Sequence, residues 1–251
     1  MEYTVEHKKF LQHLIHEGIL DADKAEEMVI KLFNDNHVDV VANMINIQLQ
    51  PLNMIIKRAQ CEITGKMYWM LASTVLDEVT RFQEEFSKAK LALLRNIFSE
   101  IITATNGSAQ STLCLNLCSA LDAKLSKAEA EEFLTDMVQK KWLFYKDGNY
   151  YMGVRSITEL MPYFRATYEG NLNICPLCKK VIFHGEKCVN CGNTIHFYCL
   201  KYFSMLQNPV KCSNCDNIIP TDNLPDITDI NTINNDEAAA NEMHIPIRKR
   251  S

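Results

Sequence analysis

Between residues 175 and 215 the chain sets out eight zinc-type ligands in order: Cys175, Cys178, Cys188, Cys191, His196, Cys199, Cys212 and Cys215. Seven of its ten cysteines fall in this window. Three of the pairs are Cys-x2-Cys knuckles and the fourth is His196-x2-Cys199, spacings at which two side chains turn toward one tetrahedral ion. A catalytic zinc keeps a coordination position open for water or substrate, whereas four protein ligands leave none. The window therefore predicts two structural Zn2+ ions and no zinc hydrolase. It also predicts how this stretch folds. About 45 residues bury too little apolar surface to stand alone, and structural zinc supplies about 10–16 kcal/mol of apparent folding free energy.

The competing assignment for so many cysteines is a disulfide framework, which needs an oxidising compartment and usually a secretory signal. The N-terminus, Met1 to Lys9, has no basic segment followed by an apolar one, and no stretch approaches 18 uninterrupted apolar residues. With the x2 spacings and the intervening histidine, zinc is the expected use of these thiols, in an intracellular, soluble protein with no membrane contact. Spacing leaves open which ligands share an ion. A sequential arrangement groups the first four and the last four. An interleaved one puts Cys175, Cys178, His196 and Cys199 on one ion and Cys188, Cys191, Cys212 and Cys215 on the other. The five residues from Cys191 to His196 span up to roughly 17 Å when extended, so reach permits either.

Hydrophobic residues make up 47% of the 251, enough for a core outside the zinc window. The net charge of −5 excludes a strongly basic body of the kind an autonomous nucleic-acid binder carries. Residues 171–220 hold five lysines against two acids. Seven zinc-bound thiolates and two Zn2+ ions bring that segment to neutrality.

Upstream of the zinc window the pattern reads as helices followed by a hairpin, twice. Asp21 is placed to cap a helix carrying Ala22, Ala25, Met28, Val29, Leu32 and Phe33 at helical spacing, and a second run covers Val38 to Leu49 until Pro51 ends it. Met54-Ile55-Ile56 and Met67 to Leu71 read as strands around a loop from Glu62 to Lys66. The order then recurs. Lys90 to Thr103 and Ser111 to Leu121 are helical runs. Ser126-x-x-Glu129 is a capping box opening a helix with the stripe Ala130, Phe133, Leu134, Met137 and Val138. Trp142 to Tyr145 and Tyr150 to Met152 flank the hairpin turn Lys146-Asp147-Gly148-Asn149. Ser156-x-x-Glu159 reads as a second capping box that opens the helix leading to the zinc window.

The expected fold is mainly α with small β hairpins: a winged helix over residues 1–90, a second over 91–170, a two-zinc domain over 171–220 and a disordered tail over 221–251. Arg248-Lys249-Arg250 in that tail reads as a solvated basic end or a weak nuclear import signal.

Sequence-specific DNA reading by the helix from Lys127 to Lys141 is disfavoured. Glu129, Glu131, Glu132 and Asp136 outnumber Lys127, Lys140 and Lys141 on it, and phosphate repels such a face. Cys61, Cys114 and Cys118 read as small buried hydrophobes. His7, His13 and His16 read as ordinary helix residues, and His184 as a bystander beside two filled sites. No Ser/His/Asp arrangement, P-loop or dinucleotide turn appears, so no catalytic residue is expected in this chain.

Taken with their order, Cys175-Pro176-Leu177-Cys178, Cys188-Val189-Asn190-Cys191-Gly192, His196-Phe197-Tyr198-Cys199 and Lys201-Tyr202-Phe203 resemble a RING-type finger of the C4HC3 order. Behind two winged helices they resemble the RING-bearing non-SMC element subunit family of the Smc five/six complex. The resemblance covers residues 7 to 220. It implies interleaved, cross-braced zinc pairing. It also implies a nuclear, chromosome-associated protein acting in DNA double-strand break repair by homologous recombination, with a MAGE-type winged-helix subunit and a kleisin subunit as partners. DNA would be met only through the assembled complex. The implied activity is ubiquitin transfer: a RING E3 ligase orients a ubiquitin-loaded conjugating enzyme.

On the family pattern Leu177, Leu206 and Pro209 would contact that enzyme, or else pack the small zinc core. The chain departs from the pattern at Ser213, where active RING domains often carry proline, and at Asp216, where they often carry a basic residue. The departures imply a weak or partner-dependent ligase, with a zinc-stabilised assembly module of the same complex as the alternative. A PHD-type histone reader shares the C4HC3 order, but Val210 stands where those fingers usually carry tryptophan, and no aromatic cage is evident.

Overall fold

The structure, a computed structural model, describes residues 2–74, 86–122, 124–222 and 224. The expected disordered tail beyond Leu224 and its basic trio Arg248-Lys249-Arg250 lie outside the described residues.

The first winged helix runs α1 (Val5–Glu17), β1 (Ile19–Asp21), α2 (Ala22–Phe33), α3 (Val38–Leu49), β2 (Met54–Gln60) and β3 (Met67–Ser73). Asp21 caps α2 as its position predicts, accepting the Lys24 N–H at 2.9 Å. α1 stops at Gly18, whose φ of 73° favours glycine and whose N–H donates to the Leu14 carbonyl. His7 is more than an ordinary helix residue: buried, it bonds Thr4 through Nδ1 and caps α1. The three helices meet at Phe10, Leu14, Val29, Val41 and Ile45, closed by Trp69 and Ile56 from the sheet. Asn46, inside α3, fixes the edge of that sheet by bonding both the N–H and the C=O of Ile56. The strand order is β1-β3-β2. The short β1 has no alternating pattern long enough to read from sequence.

The 61–66 turn between β2 and β3 is closed by two backbone bonds, Cys61 N–H to the Lys66 carbonyl and Gly65 N–H to the Cys61 carbonyl, both 2.9 Å. Gly65 takes a φ of 73° there.

The second winged helix repeats the plan with α4 (Lys88–Thr103), β4 (Ser108–Gln110), α5 (Ser111–Asn116), α6 (Lys127–Gln139), β5 (Leu143–Lys146) and β6 (Asn149–Met152), in strand order β4-β6-β5. The Ser126/Glu129 capping box forms. Of the predicted stripe of α6, Ala130, Phe133, Leu134 and Met137 are buried in one core with Leu94, Ile97, Phe98 and Ile101 of α4, with Val138 half-buried at its margin. Asp147 and Gly148 both take positive φ, as the tight hairpin turn requires. The expected second capping box does not form. Its helix, α7 (Val154–Glu159), starts three residues earlier behind Gly153, so Ser156 is internal. There the buried hydroxyl donates to the Trp142 carbonyl at 2.6 Å while Glu159 pairs with Arg155 at 2.7 Å. Tertiary contacts outweigh the local cap. A separate helix, α8 (Met161–Tyr168), with Pro162 in its first turn, leads to the zinc window.

The third unit is held by little regular structure: β7 (Asn173–Ile174) with β8 (Val181–Ile182), β9 (Glu186–Lys187) with β10 (Thr194–Ile195), and α9 (Phe197–Leu206). Its core consists of Ile182, Ile195, Leu200, Val210 and Ile219 wrapped around the ligand cysteines.

Apolar seams join the three units. Cys61, Ile63, Met70 and Val154 form a buried cluster between the first hairpin and the second winged helix. Phe183 of the third unit inserts edge-on against Phe164 of α8, centroids 5.5 Å apart. Gly107 comes so close to that loop that a Cβ there would lie 1.8 Å from the Phe183 carbonyl oxygen. Among the described residues no helix is long and apolar enough to cross a membrane.

Candidate metal centres

Each Cys-x2-Cys pair sits on a turn that the backbone closes by itself. Lys179 N–H donates to the Cys175 carbonyl and Cys175 N–H to the Lys180 carbonyl, both 2.9 Å. The same two bonds recur at Cys188 with Gly192 and Asn193, and at Cys212 with Asp216 and Asn217. The fifth residue of each turn needs positive φ: 59° at Lys179, 75° at Gly192 and 55° at Asp216. Aspartate enters that region more readily than most side chains, which is a local reason for Asp216 beside the last ligand.

The donor atoms gather into two groups, each with all its atoms within 4.8 Å of one another: Cys175, Cys178, His196 and Cys199, and Cys188, Cys191, Cys212 and Cys215. Of the two groupings the spacing left open, this is the interleaved one. A tetrahedral ion with Zn–S bonds of about 2.3 Å sets neighbouring sulfurs about 3.8 Å apart. Here the Cys188 and Cys215 sulfurs are 3.6 Å apart and those of Cys191 and Cys212 3.5 Å. Nδ1 of His196 lies 3.3 Å from Cys178 Sγ and 3.8 Å from Cys199 Sγ. The residues thus fit two four-coordinate zinc ions, with Nδ1 as the histidine donor.

Electrostatics point the same way. Hydrogen bonds from Cys178 and Cys199 push Cys175 far down in pKa, while Cys175 and Cys178 push Cys199 far up. Donors this close cannot share three negative charges without a cation. In the second group the Asn193 backbone N–H is the largest influence lowering Cys191, to about 6. Burial penalises charge on His196, but Cys175, Cys178 and Glu62 outweigh it and raise its basicity well above the ordinary imidazole value.

Glu62 is the residue that sequence reasoning missed. It lies in the 61–66 turn of the first winged helix, 3% exposed, with Oε1 3.2 Å from His196 Nε2. It also accepts the backbone N–H groups of Phe183 and His184, the latter at 2.8 Å. A glutamate in a hairpin turn reads as solvated. The available signal was its setting between Cys61 and Ile63, two residues that end up buried.

The other candidates are placed as follows. His184 is no ligand: its Nδ1 lies 2.8 Å from the Asn106 carbonyl oxygen, and its ring packs between Tyr151 and Phe197. Cys61, Cys114 and Cys118 are buried, and burial lifts Cys114 to about 12. Leu177 is half-buried against the zinc-domain core, whereas Leu206 and Pro209 are exposed. Ser213 and Asp216 are exposed as well, and Val210 is buried in the core. The acids Glu129, Glu131 and Glu132 lie on the exposed face of α6.

Comparison with known proteins bears on the whole chain. Residues 7–121 and 108–160 match the family described as "Nse1 non-SMC component of SMC5-6 complex", and residues 175–215 match the RING-like domain family. "Non-structural maintenance of chromosomes element 1 homolog" of Xenopus laevis is 33% identical over 235 residues, covering 90% of this chain and 86% of that protein. The Homo sapiens protein of the same name is 32% identical over 232 residues, covering 89% and 86%. A chain of a solved structure titled "Nse1-Nse3-Nse4 complex" superposes with a TM-score of 0.77 at 31% identity, covering 88% of this chain and 98% of that one. The chain therefore belongs to the family of Nse1 non-SMC components of the SMC5-6 complex.

Proposed function

We propose that this chain is a RING-type E3 ubiquitin ligase subunit of the SMC5-6 complex. In this reading it serves DNA double-strand break repair by homologous recombination and chromosome maintenance, in the nucleus and on chromosomes. The observation that supports the reading best is the pair of closed, interleaved four-ligand groups on a RING-like segment. Such sites hold a surface rigid and offer no open metal position. Bound zinc supplies structure alone: the four ligands of the first site fix the first knuckle and α9 relative to each other, and the other four join the second and third knuckles. Rate comes from orienting the thioester of a conjugating enzyme toward a substrate lysine. Leu177, Leu206 and Pro209 are assigned to the contact with that enzyme.

The partners assigned are a MAGE-type winged-helix subunit and a kleisin, supported by the likeness to a chain of the Nse1-Nse3-Nse4 complex. DNA is met through the assembled complex, since the exposed face of α6 is acidic. The functional division follows as winged helices over 1–90 and 91–170, the zinc domain over 171–220 and a tail over 221–251.

Ser213 and Asp216 favour a second reading, an assembly module with no ligase activity of its own. Reconstituted ubiquitin chain formation with a panel of conjugating enzymes, with and without the MAGE-type partner, separates the two. The ligase reading expects partner-stimulated chains that Leu177→Ala reduces about tenfold, the effect of losing roughly 1.4 kcal/mol of enzyme contact. No activity above background with any enzyme, even with the partner present, leaves the assembly reading standing.

A further inference from the structure

We propose that Glu62 is a positioning residue of the first zinc site: a carboxylate delivered by the first winged helix that sets the tautomer and angle of His196, so that this site's hold on zinc depends on a residue outside the RING-like domain. A neutral imidazole carries its proton on one nitrogen and offers the other as a ligand, and the partner of the protonated nitrogen decides which is which. Nδ1 of His196 is the nitrogen beside Cys178 and Cys199. Nε2 faces Glu62 Oε1 at 3.2 Å, and both residues are buried, 1% and 3% exposed. An ionised carboxylate can only accept, so the proton is kept at Nε2 and the Nδ1 lone pair is left for the metal. The Tyr198 ring, stacked at 4.5 Å and 18°, fixes the imidazole plane from one side.

Glu62 is itself held. The N–H groups of Phe183 and His184 occupy the rest of its acceptor capacity. Its neighbours Cys61 and Ile63 are buried in the seam between the two winged helices, so the carboxylate cannot swing away without disturbing that seam. The four-cysteine site takes its hydrogen bonds from its own knuckles, from the backbone of Asn190, Asn193 and Cys191. Zinc occupancy at the first site and seating of the RING-like domain on the first winged helix are therefore reciprocally coupled. This holds whether or not the domain transfers ubiquitin.

The test uses the zinc-loaded full chain and reads thiol alkylation, cysteine by cysteine, by mass spectrometry during challenge with a chelator. Glu62→Gln keeps the side chain's size but removes its acceptor-only character. It is expected to speed labelling of Cys175, Cys178 and Cys199 about 10- to 100-fold and to leave Cys188, Cys191, Cys212 and Cys215 at the wild-type rate. His184→Ala is the docking control: it removes the side-chain contacts with Asn106, Tyr151 and Phe197 but keeps the backbone N–H that bonds Glu62 and changes no ligand, so it should speed labelling of the same three thiols by a smaller factor than Glu62→Gln. Unchanged labelling of the first-site thiols in Glu62→Gln, or equal acceleration of all seven zinc-site thiols, overturns the proposal. A variant-free reading stands beside it: long-range 1H–15N NMR of the wild-type chain should show His196 protonated at Nε2, and protonation at Nδ1 overturns it equally.

Discussion

The two metal centres share a donor geometry and differ in what surrounds them. At the first, Cys175, His196 and Cys199 are buried, and the histidine reaches out of its domain to Glu62. At the second, Cys191 and Cys215 are half-buried, and the knuckles carry exposed Val189, Asn190, Ser213 and Asn214. One site is an inner joint between domains, whereas the other stitches the outer half of a small domain to itself. Structural zinc thus has two distinct reaches within about 45 residues: local order around both ions, and domain seating around one.

Removing each ion separately is the strongest way to break that distinction. Cys199→Ser opens the first site and the start of α9. Hydrogen exchange should then rise by orders of magnitude both in residues 182–200 and in the remote 61–66 turn, with zinc falling below two ions per chain. Cys188→Ser should lose one zinc and loosen the outer knuckles while the 61–66 turn keeps its protection. Equal exchange in that turn for the two variants would erase the contrast between the sites.

A smaller effect sharpens it from the apolar side. Phe183→Ala removes the ring that sits against Phe164 and should cost about 2–3 kcal/mol, less than the ~3–5 kcal/mol of a fully buried phenylalanine because the site is half-buried. Denaturant unfolding measures that loss, and Phe183→Leu should recover most of it. The smallest effect serves as the reference. Ser126→Ala removes the α6 cap far from either ion and should cost about 1 kcal/mol, visible in the same melt, with both zincs retained.

How much of this was legible in the sequence depended on whether the signal was local. Knuckle spacing, the Asp21 and Ser126 caps, the α6 stripe and the Asp147-Gly148 turn are set by residues within a few positions of one another, and the structure holds all of them. Ser156 and Glu159 had the same local form but a non-local environment: the Trp142 carbonyl and Arg155 claimed their side chains. The strands β1 and β4, three residues each, exist because the hairpins beside them offer an edge to pair with. At the metal centres, ligand identity was readable from spacing, whereas reach allowed both groupings and only the family resemblance implied the interleaved one that the structure holds. Glu62 was the hardest to see, 134 positions from the histidine it holds.

The 61–66 turn adds a last consequence. Its two backbone bonds and its positive φ at the fifth residue reproduce the three Cys-x2-Cys turns, with Cys61 in the first ligand position and Thr64 where the second would stand. It keeps that shape with an apolar seam beneath it rather than an ion. The knuckle is therefore a mould that the peptide chain casts unaided. Where cysteines occupy both positions, part of the ordering that zinc binding requires is complete before the ion arrives, and capture of the metal becomes a matter of joining ready-made halves.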